Sequence, residues 1–138
     1  YHDELPARQL RIAYHRARAG QLEEAIAHLD ACSNSFYLSG EYSRALDAVE
    51  KCLELIEILE QSRGSERWST TLMAKLQLLI NLQRLERAKE VLAEFDRDYP
   101  DLTSRPRTSL RSRHEYIHLK LRMTSGHLKK TIRARDSI

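Results

Sequence analysis

GQLEEAIAHLDAC, residues 20–32, has two further copies in the chain: GEYSRALDAVEKC over 40–52 and QRLERAKEVLAEF over 83–95. Each copy opens on a turn residue (Gly20, Gly40, Gln83). Each then places an apolar side chain two positions on (Leu22, Tyr42, Leu85) and an alanine five positions on (Ala25, Ala45, Ala88). A weaker fourth copy, GHLKKTIRA, covers 126–134. Upstream of the anchors lie the amphipathic runs LRIAYHRARA, SNSFYLS, TTLMAKLQLLINL and LRSRHEYIHLKLRMTS. The repeated unit is therefore helix, tight turn, helix. The alanine has a mechanical role, because only a small side chain lets two antiparallel helices approach closely. Pro100 stands where the second helix of the third unit must stop.

Only four glycines and three prolines punctuate 138 residues, a length sufficient for one continuous core, so an all-α fold is expected. The anchors, the small residue and the closing proline resemble the tetratricopeptide repeat (TPR) family over most of the chain. That resemblance implies a TPR-like superhelix, a solenoid of about four antiparallel helix hairpins. Gly20, Ala25, Gly40, Ala45, Ala88 and Pro100 are its packing positions. The units divide into a first hairpin over 1–32, central repeats over 33–100 and a basic final hairpin over 101–138.

The spacing is uneven. Anchors 40, 83 and 126 are 43 apart, whereas 20 and 40 are only 20 apart. Either one unbroken helix runs from about 22 to 39, or a linker is missing near 31–35. The second reading is favoured, and it predicts a break around Cys32, Ser33 and Asn34.

Charge is segregated. Residues 1–104 carry 13 Lys and Arg against 18 Asp and Glu, while residues 105–138 carry 10 against 2. Arg105, Arg107, Arg111, Arg113, Lys129, Lys130, Arg133 and Arg135 form a basic patch that could contact RNA, with a solvated helix face as the plain alternative. No run of about 18 apolar residues could span a bilayer, so no membrane partner is expected. Cys32 and Cys52 show no CxxC spacing and read as buried thiols in a reducing compartment.

One short stretch spells a zinc protease: HEYIH, residues 114–118. His114 and His118 at i and i+4 share a helix face and could present two imidazoles to Zn²⁺, with Glu115 as base. The extended motif is absent, since Leu121 and Thr124 stand where Gly and His would be required. His127 and Asp136 are the only third ligands the reading finds, and Arg111, Arg113 and Lys120 oppose a dication. His114 instead falls on an apolar face with Leu110, Ile117 and Leu121. The motif reads as coincidental, no metal or cofactor is expected, and without a phosphate loop or a GxSxG elbow the chain reads as non-enzymatic.

What remains is surface. In stacked hairpins the first helices line a concave groove suited to a peptide or partner helix. Projected on this register, the groove presents Tyr14, Arg18, Asn34, Tyr37, Gln77, Asn81, Tyr116 and Lys120. Trp68, at a loop-to-helix entry, reads as a local staple.

The order of parts, from AYHRARAGQLEEAIAHLDAC through LMAKLQLLINLQRLERAKEVLAEF to HEYIHLKLRMTSGHLKKTIR, is similar to the TPR subunit (subunit ten) family of the CCR-NOT mRNA deadenylase complex. The resemblance implies a cytoplasmic, or also nuclear, non-catalytic scaffold in mRNA decay by deadenylation. Its implied partners are subunit eleven and the large NOT scaffold. YPDLTSRPRT is short where that family carries a long insert. Two other readings stand beside it: a nucleic-acid-binding helical repeat using the basic segment, and a peptide-sensing TPR region of a bacterial regulator.

Overall fold

The computed structural model describes the backbone of residues 4–100 and 109–136, and the side chains of 8–100 and 110–124. Among the described residues there are six helices and no strands: α1 Glu4–Arg18, α2 Leu22–Leu38, α3 Tyr42–Glu60, α4 Glu66–Asn81, α5 Leu85–Asp98 and α6 Ser109–Asp136. The all-α expectation is met. No helix is long and apolar enough to cross a membrane among the described residues.

The three anchors form the same turn. After α1, α2 and α4 the chain places Gly20, Gly40 and Gln83 in the left-handed region, at φ 80°, 78° and 61°. In each turn that residue's N–H donates to a carbonyl three back and the next N–H to one five back. The pairs are Gly20 to Ala17 and Gln21 to Arg16, Gly40 to Tyr37 and Glu41 to Phe36, Gln83 to Ile80 and Arg84 to Leu79. This is the Schellman geometry, which satisfies the last helical carbonyls while reversing the chain. Turns this short make their flanking helices antiparallel neighbours.

Ala25, Ala45 and Ala88 are all fully buried, as close helix approach requires. The core continues through Leu29, Phe36, Ile56, Met73, Leu76, Phe95 and Ile117. Trp68, read from sequence as a local staple, ties α4 to both α3 and α5. Its Nε1–H donates to Glu57 of α3 at 3.0 Å, and its ring stacks on Phe95 of α5 at 6.3 Å and meets Tyr99 at 5.5 Å. Ser65 caps α4 by accepting the Trp68 N–H at 3.1 Å. α5 ends at Asp98, two residues before Pro100.

Two expectations are corrected. α2 is one unbroken helix through Cys32, Ser33 and Asn34, so the missing linker near 31–35 gives way to the other reading. Its buried residues Ala25, Leu29, Cys32 and Phe36 keep i, i+4, i+7, i+11 spacing, a single stripe with no glycine or proline to interrupt it. α2 therefore packs on both α1 and α3, serving two hairpins with one helix. That is how 20 residues suffice between the first two anchors.

The second correction concerns the count of four hairpins. α6 runs through Gly126 without turning, so the fourth anchor opens no hairpin and, among the described residues, six helices stand in place of eight. One glycine costs a helix interior only about 1 kcal/mol. HLKKTIRARD beyond it also lacks the dense apolar stripe that draws α2, α3 and α5 back onto their neighbours.

Candidate functional site

Alternation at each turn leaves α2, α4 and α6 on one side of the molecule, where they enclose a groove of about 600 Å³. Val49, Met73, Leu78 and Ile117 supply its apolar floor. Asp30, Ser33, Asn34, Gln77 and Arg113 line its walls with hydrogen-bonding and charged groups of both signs. Tyr37 on α2 and Tyr116 on α6 flank it, 40 % and 51 % exposed, so each ring retains surface to give to a ligand.

Four of the residues projected from sequence meet here: Asn34, Tyr37, Gln77 and Tyr116. Asn81 is tied to the site indirectly, its Oδ1 accepting from Gln77 Nε2 at 2.8 Å. Lys120, one turn beyond Tyr116, lies outside the lining. Tyr14 and Arg18 do not join the groove. Because α2 is shared, α1 falls toward the α3 side, and the Lys51 ammonium sits 5.9 Å from the centre of the Tyr14 ring. Asp30, Ser33 and the alanines that make room for a ligand, Ala27, Ala31 and Ala74, were missed. For the four on α2 the signal was present in its unbroken stripe, whose flanking positions they occupy, whereas Ala74 stands on α4.

The basic patch is only partly describable. Arg105 and Arg107 lie outside the described residues, as do the side chains of Lys129, Lys130, Arg133 and Arg135 on α6. Arg111 donates to Glu115 at 3.1 Å, and Arg113 is the patch member that lines the groove.

On the α5 side of α6 the motif at 114–118 acquires a partner. His114 Nε2 is 2.6 Å from Asp96 Oδ1, and His118 Nε2 is 2.8 Å from Asp96 Oδ2. The two imidazoles meet edge to face at 4.5 Å, with His114 also against Phe95 at 5.9 Å. Leu110, Ile117 and Leu121 are buried alongside, as the helical spacing requires. Asp96 was not found from sequence because it belongs to a different helix, 18 residues upstream of His114. Only the fold tells which helices pair, and so which of their side chains meet. Glu115 pairs with Arg111 at 3.1 Å rather than with either imidazole.

Both cysteines are buried, and burial pushes the Cys32 and Cys52 thiols up to about 11. For Cys52 the Asp30 carboxylate adds to the shift, with Arg67 opposing it. Neither is a poised nucleophile. No family model, curated protein or solved structure matches the chain.

Proposed function

We propose that this chain is a non-catalytic protein-interaction scaffold of TPR-like construction, and that the groove between α2, α4 and α6 receives a segment of a partner protein. The observation that carries this reading is the pairing of two half-exposed tyrosines, Tyr37 and Tyr116, across an apolar floor with polar walls. Ligand sites have this composition: apolar area for affinity, a few placed polar groups for orientation. Asp30 and Arg113 in the same lining favour a segment that carries charge of both signs or a polar backbone. The repeated Schellman turns and buried alanines support the TPR-like assignment, since they reproduce the helix-turn-helix unit that stacks into such a groove.

On this reading the assembly is the NOT module of the mRNA deadenylase, with subunit eleven and the large NOT scaffold as partners. The support is the order and character of the helical units in the sequence. The test is recovery of a tagged full-length protein from its native cells, with mass spectrometry, in the presence and absence of nuclease. Nuclease-resistant recovery of those subunits, abolished by Ala74→Arg in the groove, is the expected result. Recovery that collapses with nuclease would replace this reading with a nucleic-acid-binding one centred on α6.

A further inference from the structure

We propose that Asp96, His114 and His118 form a binding site for one divalent transition metal ion, Zn²⁺ by preference, that clips α6 to α5. The donor atoms of the three residues all lie within 4.8 Å of one another. Two imidazoles and one carboxylate are a set that suits zinc, which takes nitrogen and oxygen ligands at about 2.0–2.2 Å. Three such ligands placed tetrahedrally about one ion stand roughly 3.4 Å apart. The observed nitrogen-to-oxygen distances of 2.6 and 2.8 Å are shorter, so the carboxylate must retreat by less than about 1 Å to admit the ion. Asp96 sits near the C-terminal end of α5 and is about a third exposed, so a side-chain rotation suffices.

In the metal-bound state each imidazole presents its Nε2 lone pair and keeps its proton on Nδ1. The rings are already turned that way, since both Nε2 atoms face Asp96. His114 is packed against Phe95 and only 13 % exposed, which fixes one ligand in place. His118 and Asp96 are more open, leaving a solvent side where a water completes the coordination. Of the neighbouring cations, Lys120 follows Tyr116 by one turn on the far side of α6, whereas Arg122, one turn beyond His118, adds positive charge that the Asp96 carboxylate must offset. Arg111 is neutralised by Glu115, Arg97 by Asp98, and Arg113 lies on the groove side of the helix.

The site lies on α6 opposite Tyr116 and Arg113, so the ion would fix the helix that forms one wall of the groove. It stands independently of what the groove binds. Titration of the chelator-treated full chain with Co²⁺, read by its visible absorption, and with Zn²⁺, read by calorimetry, tests it. One ion per chain is expected, with tetrahedral cobalt bands bleached by added zinc. His118→Gln and Asp96→Asn should each weaken binding at least about tenfold. His28→Gln, at a distant pair with Gln9, should bind as the parent does. His118 is more than a third exposed, so its variant keeps the fold if Asp96→Asn does not; circular dichroism verifies this. Absence of saturable one-to-one binding, or equal binding by a folded His118→Gln chain, would overturn the site.

Discussion

Asp96 holds His114 across the α5–α6 boundary, Oδ1 to Nε2, at 2.6 Å, while its second oxygen takes His118 at 2.8 Å. One carboxylate therefore secures two successive turns of α6. Each such bond contributes on the order of 1 kcal/mol net, and removing the carboxylate leaves a mostly buried imidazole without its acceptor. Asp96→Ala in metal-free buffer should lower stability by about 1–3 kcal/mol in urea unfolding. Hydrogen exchange should show α6 losing protection before α2 and α3.

The three Schellman turns differ in one respect. Gly20 and Gly40 occupy the left-handed region at no steric cost, whereas Gln83 occupies it with a Cβ. Gln83→Gly should therefore raise stability by roughly 0.5–1 kcal/mol, with Asn in between. Gly40→Ala should cost about 1 kcal/mol by the same reasoning run backwards. Thermal unfolding of the three variants checks the ordering.

Gly64 has a different reason for being glycine. A Cβ there would lie 2.5 Å from Tyr99 Cε1, and its φ of 90° is itself in the left-handed half of the map. The loop between α3 and α4 is thus laid directly on the ring that closes the Trp68–Phe95–Tyr99 cluster. Gly64→Ala should cost about 2–3 kcal/mol, and in a Tyr99→Ala background only the backbone part, roughly 1 kcal/mol, should remain. Equal costs in both backgrounds would remove Tyr99 from the account.

The turns, the buried alanines and the end of α5 before Pro100 were all legible in the sequence, because each depends on a residue and its near neighbours. What was not legible was which helix serves which partner. The 20-residue spacing between Gly20 and Gly40 admits both one helix and a missing linker, and only the stripe Ala25, Leu29, Cys32, Phe36 decides for one continuous helix. Gly126 was read as a turn by analogy with Gly40, although no apolar stripe follows it. The groove was half legible for the same reason. Tyr37, Gln77 and Tyr116 lie on helix faces set by local periodicity, whereas Tyr14 was misplaced by assigning α1 to the wrong layer. Asp96 was invisible because its meeting with His114 depends on how α5 and α6 pair.

The buried thiols give a pH dependence with a defined sign. Cys32 and Cys52 are pushed from an ordinary value of 9.0 up to about 11 in the folded chain. The unfolded chain therefore gives up these protons first. Their contribution is complete below pH 9 and is lost as the pH rises toward 11, by about 1 kcal/mol per thiol at pH 10. Urea midpoints at pH 7 and pH 10 should separate more in the parent than in a Cys32→Ala, Cys52→Ala chain. Both native thiols should also resist alkylation at pH 8 until denaturant is added.

Tyr37 and Tyr116 offer the cleanest test of the groove, because neither is needed to hold it together. Each remains 40 % exposed or more, so truncation removes ligand surface without opening a core cavity. Tyr37 does touch Tyr42, at 5.6 Å between ring centres, and that contact is worth about 1 kcal/mol at most. Tyr116→Ala is therefore expected to leave urea unfolding unchanged within about 0.5 kcal/mol. If a partner segment seats between α2 and α6, the same substitution should weaken capture by about tenfold or more, as loss of an aromatic anchor does. Ile58→Ala supplies the control, an exposed apolar residue of α3 that is not part of the groove lining, and should leave capture intact. Equal capture by the parent, Tyr116→Ala and Ile58→Ala chains would move the docking surface off the groove.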